Sequence, residues 1–116
     1  SDVYKRQNHY EPSACPGGRP PHLWLDDHTS LYDAFGPEWT LLCTDEQAPD
    51  LSAWQQVCEA LGLKLTCLHL PNQALRDLYL EPLTLIRPDQ IVGWRGAQTG
   101  PEEVTTLFNQ LLGADF

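Results

Sequence analysis

Runs of apolar residues, separated by polar breaks, predict where the strands of this chain lie. The segment Trp39–Thr44 (W-T-L-L-C-T) is almost continuously apolar, which is typical of a strand buried on both faces. Lys64–Leu70 alternates between apolar and polar residues and predicts a second strand. His22–Asp26 alternates more weakly, and it predicts a short strand ahead of the other two.

Two further segments carry apolar residues at helical spacing. We expect a helix over Leu51–Leu61, capped by Asp50 and stopped by Gly62. Asn72–Leu80 predicts a shorter helix, and Ser30–Phe35 predicts one helical turn or a loop. The inward-facing residues of the two longer segments are expected to be Leu51, Trp54, Val57, Cys58, Leu61, Leu75, Leu78 and Tyr79.

The last part of the pattern predicts a β-hairpin. Leu83–Ile86 and Ile91–Trp94 are short runs of β-branched and aromatic residues, which suit a pleated surface. The polar break Arg87–Gln90 predicts a turn, because Pro88 fixes φ and the Asp89 side chain can bond its own backbone.

A final helix is predicted after the hairpin. Pro101 suits the first helical position, and Glu102 and Glu103 suit the positive end of the helix dipole. Gly113 is expected to end it. The apolar stripe consists of Val104, Leu107, Phe108, Leu111 and Leu112.

The predicted order of elements is β, β, α, β, α, β, β, α. Strands separated by helices imply a parallel portion with right-handed crossovers, and the hairpin adds an antiparallel portion. The sequence therefore predicts an α/β, thioredoxin-like fold: a mixed central sheet with helices on both faces, a closing β-hairpin and a C-terminal helix. We expect residues 1–21 to be an irregular N-terminal arm or linker and residues 22–116 to be the folded domain. Residues 1–7 are a linker, a cloning remnant or a sequence artefact.

Composition narrows the choice of partners. The 116 residues suffice for one domain, and the net charge of −9 argues against binding to nucleic acid or to anionic membranes. No apolar run approaches the ~20 residues that span a bilayer, and no secretory signal is seen at the start. We therefore expect a cytoplasmic protein.

The cysteines do not form a redox motif. Cys15, Cys43, Cys58 and Cys67 include no C-x-x-C pair. Cys43 falls inside a predicted strand, and the acidic residues that follow it, Asp45, Glu46 and Asp50, would raise a thiol pKa. Cys58 and Cys67 lie on consecutive elements, so an oxidised pair stays open as an alternative.

No other catalytic, cofactor or metal site is predicted. The four histidines do not show metal-ligand spacing, and no glycine-rich phosphate loop precedes a helix. Pro82 stands where a thioredoxin-like fold often carries a cis proline, and the sequence leaves both isomers of the Glu81–Pro82 bond open.

Four segments in order resemble one family: Pro16–Leu25 (P-G-G-R-P-P-H-L-W-L), Ser30–Gly36 (S-L-Y-D-A-F-G), Trp39–Leu42 (W-T-L-L) and Ile86–Gly96 (I-R-P-D-Q-I-V-G-W-R-G). They are similar to the C-terminal region of FAD-dependent aromatic-ring hydroxylases, which include phenol, 3-(3-hydroxyphenyl)propionate and polyketide hydroxylases. The resemblance covers residues 10–113. Gln90 replaces the usual turn glycine, and the arm before Gly17 is shorter than expected for the family.

The resemblance implies a thioredoxin-like domain without redox cysteines, appended to upstream FAD and substrate domains of the same chain. The parent enzyme would be a monooxygenase that uses FAD and NAD(P)H, while the fragment itself would be non-catalytic and without a cofactor. A homodimer is a further implied arrangement. The alternatives are a stand-alone thiol protein that uses Cys43 and a free-standing assembly domain.

The resemblance and the fold together give a set of candidate structural or interface residues. They could form a polar framework, with Asp33 or Asp89 pairing with Arg87 or Arg95 to hold the hairpin to the arm. Alternatively, they could form a docking face anchored by a tryptophan. We favour the framework. The candidates are Arg19, His22, Trp24, Asp33, Pro82, Arg87, Asp89, Trp94 and Arg95.

Overall fold

The computed structural model describes residues 17–113. Within that range it contains four strands and four helices. In chain order these are α1 (Leu31–Ala34), β1 (Trp39–Cys43), α2 (Ser52–Ala60), β2 (Leu65–His69), α3 (Gln73–Tyr79), β3 (Leu83–Ile86), β4 (Val92–Gly96) and α4 (Pro101–Gly113).

The strands form one mixed sheet in the order β2-β1-β3-β4. Strand β1 is parallel to β2 and antiparallel to β3, and β3 and β4 form the antiparallel hairpin. All five residues of β1 are buried, as expected for an inner strand with a neighbour on each side and cover on both faces. The predicted mixed sheet, hairpin and C-terminal helix are confirmed.

Helices α2 and α4 cover one face of the sheet. Trp54 of α2 and Phe108 of α4 are fully buried and meet with their ring centroids 5.8 Å apart. Because side chains alternate along a strand, every second residue of β1 and β3 points to this face. The core formed there, called the helical core below, consists of Trp39, Leu41, Cys43, Trp54, Val57, Cys58, Leu83, Leu85, Val104 and Phe108.

The opposite face has a smaller core beneath α1 and α3, called the arm-side core below. Leu42 and Ile86 point to it from the inner strands, and Val92 points to it from β4. Leu75 and Tyr79 of α3 close over these residues and are fully buried. The remaining buried members are Leu31 and Phe35.

Side chains cap the first turns of α1 and α3, and α2 begins at a different residue from the one predicted. Ser30 caps α1 through a capping box with Asp33, and the Asn72 side chain caps α3 by accepting from the Leu75 N–H. Helix α2 begins one residue later than predicted, so Leu51 occupies the N-cap position and makes no side-chain cap. Asp50 still accepts a hydrogen bond from the Ser52 N–H at 3.0 Å.

The predicted strand at His22–Asp26 is wrong. Only one isolated bridge forms in this segment, between Trp24 and Ser30. Two backbone hydrogen bonds, Leu31 N–H to Leu23 O and Leu25 N–H to Thr29 O, fold the segment back on itself instead of onto the sheet. The weak alternation marks inward and outward side chains, but none of the four strands within residues 17–113 pairs with this segment.

Candidate functional site

The arm (residues 17–21) is hydrogen-bonded to the edge of the sheet. The Gly17 N–H donates to Val92 O at 2.8 Å, and the Val92 N–H donates to Gly18 O at 2.9 Å. Two arm residues thus face one residue of β4, and Gly17 has φ +87°. This arrangement matches a β-bulge whose first residue is a left-handed glycine, so glycine is needed there for its backbone conformation.

Beyond the bulge, two tyrosines hold the arm. Pro20 and Pro21 have no N–H and cannot continue the strand ladder. Their carbonyls accept instead from side chains: Tyr32 Oη donates to Pro20 O and Tyr79 Oη donates to Pro21 O, each at 2.6 Å. Burial raises the pKa of Tyr79 well above its ordinary value, and the nearby Tyr32 raises it further, so the hydroxyl stays protonated as a donor.

After the arm the chain presents an aromatic surface, defined here as His22, Trp24 and Tyr32. The His22 ring lies edge-on to both neighbours, with centroid distances of 5.1 Å to Trp24 and 5.0 Å to Tyr32. The Trp24 side chain is 61% exposed. Leu23 and Leu25, on either side of it, pack against the arm-side core. Alternation along the chain therefore directs the indole outward.

The loop that carries Trp24 is held by its own hydrogen bonds. Asp26 Oδ1 accepts from the backbone N–H groups of His28 and Thr29 at 2.7 and 2.8 Å. The first of these bonds lowers the pKa of Asp26, so this carboxylate is ionised at neutral pH. Together with the Trp24–Ser30 bridge, these bonds give the aromatic surface a defined backbone support.

Within residues 17–113, no ion pair joins the hairpin to the arm as the predicted framework requires. Arg87 pairs with Asp89 at 2.8 Å, but both side chains belong to the hairpin turn and are about half exposed. Asp33 accepts from the Ser30 N–H in the α1 capping box, and Arg19 is exposed. Backbone and tyrosine hydrogen bonds hold the arm instead, since the arm offers carbonyls rather than carboxylates.

Trp94 and Arg95 lie on β4 and have different surroundings. Trp94 packs beside Trp54 at a centroid distance of 5.4 Å and so belongs to the margin of the helical core. Arg95 lies opposite Thr84 of β3. Three buried side-chain atoms have no hydrogen-bond partner in the described part of the chain: Arg95 Nη1, Thr84 Oγ1 and Thr44 Oγ1.

The turn after β1 does not support thiol chemistry. Cys43 is fully buried within the strand, and burial raises the pKa of its thiol. The Thr44 N–H donates to Pro82 O at 3.1 Å, and the Arg76 guanidinium donates to Thr44 O at 2.9 Å. The bond before Pro82 is trans. One backbone bond and one bond from the Arg76 side chain thus fasten the position where a redox pair would lie in this fold.

The other two cysteines within residues 17–113, Cys58 and Cys67, are also free thiols. Cys58 is buried in α2, where burial raises its thiol pKa to about 11 with a smaller contribution from Cys67. Cys67 lies on β2, and its sulfur accepts from Gln55 Nε2 at 3.2 Å. Residues 17–113 hold no group of three or more His, Cys, Asp or Glu side chains that could bind a metal ion. None of the helices there has the length and apolar character to cross a membrane.

The residues that hold the arm could not be identified from the local sequence pattern. Tyr79 was predicted as an inward-facing side chain, but nothing local showed that its hydroxyl would bond a carbonyl 58 residues away. Tyr32 and Gly17 lie in segments that carry the family resemblance, and neither was singled out. The Pro-Gly-Gly and Pro-Pro sequences are the signals that could have identified the arm as an irregular segment with few backbone N–H donors.

A family model and individual relatives of this chain both point to aromatic-ring hydroxylases. The family model "Aromatic-ring hydroxylase, C-terminal" matches residues 13–114. Aklavinone 12-hydroxylase RdmE of Streptomyces purpurascens is 30% identical over 91% of this chain and 22% of its own length. Phenol 2-monooxygenase of Pseudomonas sp. (strain EST1001) is 31% identical over 90% of this chain and 20% of its own length.

Solved structures of similar proteins superpose well on this chain. A structure of RebC-10x, native and bound to K252c, superposes with a TM-score of 0.84 at 30% identity, covering 98% of this chain and 22% of that one. Aklavinone-11 hydroxylase with FAD and aklavinone gives a TM-score of 0.75 at 27% identity, covering 97% and 24%. The chain thus spans about a fifth of the length of the relatives it matches. It belongs to the family of aromatic-ring hydroxylase C-terminal domains.

Proposed function

We propose that this chain works as a redox-inactive structural domain at the C-terminal end of a flavin-dependent aromatic-ring monooxygenase. In that enzyme, upstream domains of the same polypeptide would bind FAD and the aromatic substrate, and NAD(P)H would reduce the flavin in the cytoplasm. The reduced flavin would supply the oxygen-transfer chemistry. The proposed task of this domain is to hold a fixed position against those upstream domains.

The observation that carries the structural role is the fixed arm. Three independent attachments fasten it within five residues: the bulge at Gly17, the Tyr32 bond to Pro20 and the Tyr79 bond to Pro21. A free linker would leave its carbonyls to water and the following domain free to rotate. An arm fastened to the sheet instead fixes the direction in which the chain enters the domain.

The described residues do not fit FAD themselves. A pyrophosphate is bound by backbone N–H groups at a glycine-rich turn and the start of a helix. The groove at the start of α4, with a volume of about 490 Å³, is bordered by Glu103, and an adjoining groove is bordered by both Glu102 and Glu103. These carboxylates would repel a pyrophosphate. We therefore assign no step of flavin chemistry to this chain.

The reading frame upstream of Ser1 tests the proposed function first. We expect a continuous frame with a G-x-G-x-x-G motif near its start, about 400 residues upstream, by the usual domain-size rule. The encoded full-length protein should then bind FAD and hydroxylate a phenolic compound with NADH or NADPH. A stop codon directly before residue 8 would overturn the proposal.

A matched pair of cysteine variants separates the structural role from thiol chemistry. Cys43→Ser and Cys58→Ser both place a hydroxyl where a buried thiol lies, so both should lower stability to a similar extent. In a structural domain, neither variant changes the hydroxylation rate per folded enzyme. If Cys43→Ser alone abolishes activity in folded protein, Cys43 is a nucleophile and the structural assignment is wrong.

A further inference from the structure

We propose that the aromatic surface is the site where this domain docks on the upstream part of its own polypeptide, with Trp24 as the anchor. This inference rests on the proposed function, since it needs upstream domains in the same chain. It goes further by assigning the contact to three named residues and by specifying the chemistry of the surface that receives them.

The exposure of Trp24 is imposed by the fold. Leu23 and Leu25 are partly buried against the arm-side core, and the loop behind Trp24 is fixed by the Asp26 hydrogen bonds and the bridge to Ser30. The indole is therefore presented outward on a held backbone, with His22 packed against its edge. An aromatic side chain on a rigid support loses little conformational entropy on binding, which is the usual property of an interface anchor.

The other exposed large apolar residues have local explanations. Leu80 is 59% exposed, but it is the C-cap of α3 and has φ +71°. Leu61 is 40% exposed and caps the end of α2. Both are placed by helix termination, and neither packs in an aromatic cluster. Of the three large apolar residues that are exposed within residues 17–113, Trp24 alone does not lie at the end of a helix.

The point where the chain enters the domain indicates which part of the polypeptide would contact the aromatic surface. The matched relatives are about five times longer than this chain, and the matching model describes a C-terminal region, so most of such a parent precedes Gly17. Trp24 lies seven positions after Gly17, which at ~3.5 Å per residue is at most about 25 Å. The arm therefore leads from the upstream side directly to the aromatic surface.

The charges near Trp24 define the chemistry of the receiving surface. Asp26 and Asp27, two and three positions after Trp24, are exposed, and the whole chain has a net charge of −9. A complementary surface would be an apolar pocket for the indole with Lys or Arg on its rim, since a like-charged rim would oppose docking. The contact should weaken as salt concentration rises, because the rim charges are exposed.

The test compares Trp24→Ala with Leu80→Ala in the full-length, FAD-loaded enzyme. The two residues are exposed to nearly the same fraction, so Leu80→Ala controls for truncating an exposed apolar side chain. We expect Trp24→Ala to speed backbone amide exchange about tenfold in residues 22–32 and in the upstream peptides that face them, the size expected for loss of an anchor. Leu80→Ala should leave both regions unchanged. Trp24→Glu, which adds a charge, should loosen them further.

Each other outcome overturns the docking surface in a distinguishable way. If Trp24→Ala and Leu80→Ala both leave the upstream peptides unchanged in an enzyme that retains FAD, the surface is wrong and the proposed function stands. If loosening depends on protein concentration and accompanies loss of a dimer in light scattering, the surface joins two copies of the chain instead. A parent without upstream domains overturns both proposals.

Discussion

Two long helices cover one face of the sheet, whereas two short helices and an arm without regular structure cover the other. In the helical core, three large rings pack together: Phe108 lies 5.4 Å from Trp39 and 5.8 Å from Trp54 by ring centroid. In the arm-side core, the cover is fastened by hydroxyl donors, Tyr32 and Tyr79, to carbonyls of the arm. One face is held by apolar burial, and the other adds specific hydrogen bonds.

The difference indicates a division of roles between the faces. Apolar packing is strong but not directional, so it stabilises the sheet without fixing where an irregular segment must lie. Hydrogen bonds contribute less free energy but require a defined geometry. The arm-side face therefore suits the positioning of the chain's entry point, and the helical face suits the stability of the domain.

The largest effect should come from breaking the helical core. Phe108→Ala removes a fully buried ring that contacts two tryptophans, and we expect it to lower the free energy of unfolding by about 3–5 kcal/mol. Urea unfolding followed by tryptophan fluorescence measures this loss. Asn109→Ala, on the exposed side of the same helix, should change stability by less than about 0.5 kcal/mol. A loss below about 1 kcal/mol for Phe108→Ala would contradict the assignment of this face as the main source of stability.

The arm-side face should respond to loss of a single hydroxyl. Tyr79→Phe keeps the ring but leaves the Pro21 carbonyl without its donor, and we expect a cost of about 1–3 kcal/mol. Amide exchange in the arm should speed up in the same variant. Tyr32→Phe removes a less buried bond and should cost less, about 0.5–1.5 kcal/mol. Equal, negligible effects would show that the hydroxyls do not hold the arm.

Two threonines sharpen the comparison within the arm-side face. Thr40 and Thr44 are both 1% exposed, but Thr40 Oγ1 accepts from the Gly36 N–H at 2.9 Å, whereas Thr44 Oγ1 has no partner within residues 17–113. Thr40→Val should therefore cost about 1 kcal/mol, whereas Thr44→Val should be neutral or stabilising, because it replaces an unpaired buried hydroxyl by a methyl group. Thermal unfolding of the two variants side by side checks the order. The reverse order would mean that Thr44 Oγ1 is the better-satisfied group.

The smallest effect is expected at the hairpin turn, which belongs to neither core. Asp89→Asn removes the exposed pair with Arg87 but keeps a side-chain oxygen that can accept from the Ile91 N–H. We expect a loss of at most about 0.5 kcal/mol, shrinking as salt is added. Chemical denaturation at low and high salt measures it. A loss of 2 kcal/mol or more would restore the ion-pair framework as an important contribution.

Much of the fold could be predicted from local patterns. Two runs with β-branched residues and a Pro-Asp turn were enough to predict the hairpin. An apolar stripe after Pro101 was enough to predict α4. The strand at His22–Asp26 failed because alternation shows which side chains point inward but not whether a neighbouring strand exists. The pairing of Asp33 with a hairpin arginine failed because its carboxylate is used three residues away, in the α1 cap.

The sequence by itself determined the order of the elements from β1 onward, the apolar faces of the helices and the family resemblance, because these depend on residues close together in the chain. Only the tertiary structure decided what holds the arm. The Tyr32 and Tyr79 bonds join residues 12 and 58 positions apart, and the Gly17 bulge depends on the path of β4. A hydroxyl or a carbonyl can form hydrogen bonds with many different groups. Its actual partner is therefore set by which groups the fold brings within about 3 Å of it.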